Sequence, residues 1–139
     1  MTMTQDFKAA VDATEAWVDD LMRLLGWHDR ELVYRALIAA LHAYRDSLRQ
    51  DEAVRVGAAL PILLRGVYYE GWHPGARAAG RGRQVFLERI SDGVHRDPAV
   101  DPEDVARAMF ALLALRMPAA EVENAKAATP LALHNLWPS

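Results

Sequence analysis

Large apolar residues recur three and four positions apart through most of this chain, and glycines and prolines cut the pattern into segments of helical length. Phe7, Val11, Val18, Leu21 and Leu25 form one stripe over residues 4–25, with Asp12, Glu15, Asp19 and Asp20 mostly on the other side. Gly26 supplies the stop, and Trp27 and His28 make the turn. A second helix is expected from the capping residue Asp29 to about Leu48, burying Val33, Leu37, Ile38, Leu41, Tyr44 and Leu48. A third starts near Asp51 and ends before Pro61, because proline disfavours helical geometry in the residue before it.

Pro61 opens a fourth helix, Ile62 to about Tyr69, that is apolar nearly all round and is expected to be buried on most sides. Residues 71–83, with four glycines and a proline, read as a linker. Helix resumes from Gln84 to about Gly93. Asp101, Pro102, Glu103 and Asp104 then form a strong start signal: a cap, a proline at the first position and two acids at the positive helix end. That helix runs to about Arg116. Pro118 opens the next, which ends before Pro130, and a last turn covers Leu131 to Trp137. No stretch shows the alternation of a strand, so the fold class is all-α.

The segments also repeat. Residues 31–41 match 103–113, 59–68 match 128–137 and 17–21 match 86–90, with Pro61 and Pro130 in register. Two copies, each with one apolar face, would bury those faces against each other. The expected architecture is a helical bundle of two pseudo-two-fold related repeats of three to four helices. Repeat one covers about 14–70, the linker about 71–83 and repeat two about 84–138, all within one domain of 139 residues.

Composition excludes more than it assigns. There is no cysteine, hence no disulfide or thiolate metal site, which fits a reducing, cytoplasmic setting. The net charge of −3 offers no bulk attraction to nucleic acid or anionic lipid. No run of about 20 apolar residues is present to cross a membrane. No cofactor or metal site is expected.

The densest apolar and aromatic block is residues 59–74, containing Leu60, Pro61, Leu63, Leu64, Arg65, Gly66, Tyr68, Tyr69, Glu70, Gly71, Trp72 and Pro74. In this block, and in the closing segment from Thr129 to Pro138, the chain resembles a bacterial family known as domain of unknown function 2267, over about Thr14 to Pro138. The resemblance implies a small helical domain and brings no catalytic residues. The second copy has His134 opposite Arg65 and Asn135 opposite Gly66, so a role for the Arg-Gly pair does not carry over to both copies.

Several residues are candidates for chemistry. Glu70 and His73 have Glu-x-x-His spacing, which on a helix places a carboxylate and an imidazole on one face, but Gly71 and Pro74 argue for a turn. Arg65, Tyr69 and Trp72 are residue types enriched at the energetic centres of interfaces. Arg77, Arg81 and Arg83 could hold an anion or an acidic partner. Tyr68 and His42 read as structural. No nucleophile triad, phosphate loop or dinucleotide motif appears.

The leading expectation is a non-enzymatic interaction module that presents Tyr69, Trp72 and the arginine linker to a protein partner or to its own copy in a homodimer. The alternative is a carrier of a small apolar ligand, in a pocket lined by Ile62, Leu63, Phe110 and Leu113 and larger than roughly 300 Å³. A hydrolytic or metal enzyme built on Glu70 and His73 ranks below both.

Overall fold

A computed structural model describes residues 1–74 and 82–139. Among them every regular element is helical: α1 (Met3–Leu25), α2 (Arg30–Ser47), α3 (Gln50–Ala58), α4 (Ile62–Tyr69), α5 (Arg83–Gly93), α6 (Pro102–Arg116), α7 (Ala119–Ala128) and a closing 3-10 segment, Leu131–Leu136. None of these helices is long and apolar enough to cross a membrane.

The helix ends follow local chemistry. Thr2 and Gln5 form a capping box on α1, and Gly26 closes that helix in the left-handed region at φ 71°. Asp29 accepts from the Leu32 amide (3.1 Å) and Asp101 from the Glu103 amide (2.9 Å), each satisfying a donor the helix leaves free.

α2 and α6 form the centre. Val33, Leu37, Leu41 and Tyr44 of α2 and Val105, Met109, Phe110 and Leu113 of α6 are fully buried. The aromatic part of this core is Tyr44 edge-on to Phe110 (5.0 Å between centroids), with Phe110 against Trp137 (4.6 Å) and Phe86 (6.3 Å). The Tyr44 hydroxyl donates to the Ala125 carbonyl (3.2 Å) and lies 2.9 Å from the Thr129 hydroxyl, to which the Trp137 indole also donates (3.1 Å). α7 and the C-terminal segment are thereby fastened to α2.

Around this centre α5 packs mainly on α2, and α1 mainly on α6. The α2–α5 approach is close enough that only glycine fits at position 93, against Ala39.

Two expectations are corrected. The α1 stripe is buried only from Trp17 onward, and Phe7 and Val11 lie exposed because no other described element extends that far. α4 is not buried on most sides: Leu64 and Tyr68 are, whereas Ile62 is 65% and Leu63 45% exposed. α4 rests with one face on α1, α2 and α3 and turns the other outward.

Candidate functional site

The block that carries most of the candidate residues is α4 with the turns on either side. Pro61 caps it with an extended backbone, which lets α4 turn back over α3. Arg65 then reaches the end of α3. Its Nε donates to the Gly57 carbonyl (3.0 Å), and one terminal nitrogen donates to the carbonyls of Leu60 (3.0 Å) and Ala58 (3.3 Å). These carbonyls sit at the negative end of α3, where a cation is favoured. His134 does similar work further on, donating through Nε2 to the Thr129 carbonyl (2.6 Å).

The other end of α4 is held from α2. Arg45, only 4% exposed, donates through one terminal nitrogen to the carbonyls of Tyr68 and Glu70, both at 2.8 Å. Its remaining donors grip the Asp46 carboxylate (2.8 and 3.1 Å). One turn earlier, His42 Nε2 donates to the Val67 carbonyl (2.7 Å). The C-terminal carbonyls of α4 thus find partners without water. Sequence reasoning missed Arg45. The available signal was an arginine four residues after Leu41 and three before Leu48, on the apolar stripe itself.

The aromatics divide. Tyr68 is fully buried, its hydroxyl donates to the Ala53 carbonyl (2.7 Å), and burial pushes its pKa well above the usual tyrosine value. Tyr69 and Trp72 are half-buried, stack at 5.5 Å and pack on the edge of the core. The Tyr69 hydroxyl donates to the Val54 carbonyl (3.3 Å) and lies over Gly57. This pair roofs the α3–α4 elbow.

Glu70 ends α4 with an extended backbone, Gly71 turns left-handed at φ 74°, and the exposed His73 follows beyond the helix. The Glu-x-x-His spacing therefore does not lie on one helical face, and Glu70 contributes its carbonyl to the fold. Among the described residues no group of three or more His, Asp or Glu side chains is placed to hold a metal ion.

Arg77 and Arg81 lie outside the described residues. Arg83 is engaged: it donates to Glu103 (2.8 Å) and to the Asn135 side chain (2.5 Å), while Arg107 donates to the same Glu103 oxygen (2.7 Å). The hydrogen bonds from Arg107, then the charge and hydrogen bond of Arg83, hold the Glu103 carboxyl below its ordinary range.

Two surface features were not anticipated. The first half of α1 stands clear of the bundle, with Met3 69%, Phe7 64% and Val11 43% exposed on the face that becomes the buried stripe further along. The second is a groove of about 420 Å³ between α3 and α7, lined by Val56, Met117, Ala125 and Ala128 and equally by the polar Asp51, Glu52 and Asn124. It is flanked by a bidentate ion pair from Arg55 to Glu121 (3.1 and 3.3 Å). The pocket expected from Ile62, Leu63, Phe110 and Leu113 does not form: the first two face solvent and the last two are packed shut.

Residues 14–136 match the family described as uncharacterized conserved protein DUF2267. The chain belongs to this family. No curated protein matches it. The DUF2267 segment begins at Thr14, close to where α1 enters the bundle, so the free part of α1 precedes the family segment.

Proposed function

We propose that this DUF2267 protein is a non-enzymatic protein-interaction module whose contact surface is the free half of α1. The observation that carries the reading is the α1 stripe. Trp17, Val18 and Leu21 are buried, and the same face continues through Val11, Phe7 and Met3, which are exposed among the described residues. An exposed apolar face continuous with a buried one marks an interaction site. Arg45, Arg65, His42 and His134 all donate to backbone carbonyls, and Glu70 and His73 do not share a helical face. A membrane is a poor occupant, because helices that lie on membranes carry basic flanks. Here Lys8 stands among Asp6, Asp12 and Glu15. Tyr69 and Trp72 belong to this reading as a roof that keeps α4 in place.

The test is a photo-reactive amino acid at position 7 in native extract. A discrete cross-linked protein is expected there and not from the same residue placed at Arg96, which is also exposed. Equal, diffuse labelling at both positions would sink the reading.

We also infer that the chain is an internal duplication. The exchanged packing of α1 on α6 and of α5 on α2 supports this. So do Pro61 and Pro130 as caps, and the bonds from Arg65 to Leu60 and from His134 to Thr129, each spanning five residues.

The α3–α7 groove favours a second reading, a carrier of a small apolar molecule, since its volume falls in the range of ligand sites. Native mass spectrometry of the purified protein would show a retained mass that Met117→Trp, which fills the groove, removes. A bare protein in both spectra ends that reading.

A further inference from the structure

We propose that the groove between α3 and α7 takes a small organic cation with an apolar body, its ammonium set against Glu52. This rests on the carrier reading above and names the charge its ligand brings.

The groove is made from one face of each helix. Glu52, Arg55 and Val56 of α3 meet Glu121, Asn124 and Ala125 of α7 across it. Both sets follow the three- and four-residue intervals that place side chains together on a helix. They also fall opposite each other at the sequence spacing that relates 59–68 to 128–137. Glu52 corresponds to Glu121, Arg55 to Asn124 and Val56 to Ala125.

The charges break this correspondence. Arg55 reaches across to Glu121 with two hydrogen bonds (3.1 and 3.3 Å). Under a two-fold relation the counterpart of that pair is Asn124 with Glu52, and there the cation is missing. The Asn124 amide bonds Glu121 instead: Arg55 leads in holding the Glu121 carboxyl below its ordinary range, burial opposes it, and Asn124 assists. Glu52 accepts the Arg49 amide at the start of its own helix (3.2 Å). The ion pairs formed beside it, Arg49 with Asp51 (3.6 Å) and Arg55 with Glu121, both leave it out.

The uncompensated charge acts inward. Burial raises the pKa of the Tyr44 hydroxyl, the Thr129 hydrogen bond opposes the rise, and the charge of Glu52 adds to it. The positive first turns of α3 and α7 keep Glu52 and Glu121 ionised. Glu52 is half-buried, so a cation beside it is screened less than on open surface. Such a cation supplies to Glu52 what Arg55 supplies to Glu121. Val56, Met117, Ala125 and Ala128 give its hydrocarbon part an apolar wall, within a volume of about 420 Å³ that suits a small molecule.

Amide chemical-shift titrations of the purified protein with octylammonium, octanol and octanoate test this. Octylammonium should shift amides of α3 and α7 to saturation, about tenfold more tightly than octanol, with octanoate weaker still. Glu52→Gln keeps a side chain able to cap α3 and should erase the preference for the cation. Asn124→Lys places the protein's own ammonium in the vacancy and should abolish binding of octylammonium. Asn124→Met, of similar length but neutral, should retain it. Octanol or octanoate binding as tightly as octylammonium would overturn the proposal while the carrier reading stands. So would an unchanged affinity in Glu52→Gln, or equal losses in Asn124→Lys and Asn124→Met. If none of the three probes saturates these amides, the proposal and the carrier reading fail together.

Discussion

Gly93 of α5 lies against Ala39 of α2 so closely that a Cβ on Gly93 would sit 3.1 Å from the Ala39 Cα and overlap its Cβ. Both neighbours are parts of helices, so relief requires moving a helix axis. Gly93→Ala should therefore lower stability by about 1–2 kcal/mol, the overpacking cost reduced by alanine's better helix propensity. Urea denaturation checks the value. Ala39→Gly in the same chain should recover part of the loss, and strict additivity of the two changes would contradict the close approach.

Adjacent leucines on α4 should behave differently. Leu64 is fully buried, and Leu64→Ala should cost about 2–5 kcal/mol. Leu63 is 45% exposed, and Leu63→Ala should fall within about 0.5 kcal/mol of the parent. Similar costs from a denaturation series on both would mean that α4 sits in another rotation.

Arg45→Met should be among the most damaging single changes. It leaves the Tyr68 and Glu70 carbonyls without their donor and Asp46 without its partner. Breaking a buried pair costs about 3–5 kcal/mol, and the partial exposure of Asp46 places this case near the lower end. Amide exchange should rise first from Glu70 to Trp72, the stretch that Arg45 anchors. Uniform acceleration over the whole chain would assign Arg45 a different role.

Asp20 of α1 is mostly buried and accepts from Arg116 (2.5 Å) and Arg23. The Arg116 hydrogen bond leads in holding its carboxyl below the ordinary value, burial opposes it, and Arg23 assists. A depressed carboxyl contributes stability in full above its unfolded pKa, near 3.9, and loses it as pH falls through the folded value. Asp20→Asn should therefore be less stable than the parent at neutral pH, with the gap closing below about pH 4. Thermal melts of both proteins across that window decide it, and a gap independent of pH would count against the ion pair.

What the sequence revealed and what it hid divide along physical lines. Asp29, Asp101 and Gly26 were readable because a helix end is settled by residues a turn apart. The buried face of α4 was not, because a segment apolar on all sides carries no periodic signal to separate Leu64 from Leu63. The α1 stripe was read correctly as a stripe, but how far along it the cover extends depends on the length of other helices. Arg45 was overlooked because arginine is almost never fully buried unless paired, and its partners are backbone atoms more than twenty residues away. The α3–α7 groove is likewise a relation between distant segments.

The packing of α1 mainly on α6 and of α5 mainly on α2 has a consequence for biosynthesis. While the chain is being made, the apolar faces of α1 and α2 leave the ribosome well before their main partners. Within the first half α1, α2 and α4 contact one another, and the covering is completed only after α5, and then the segment from Pro102 onward, have emerged. A nascent chain stalled before α5 would display much of the future core to its surroundings, a state prone to aggregation. The core closes only when Phe110 of α6 and Trp137, which packs on it, have both emerged, which makes folding a late step of translation.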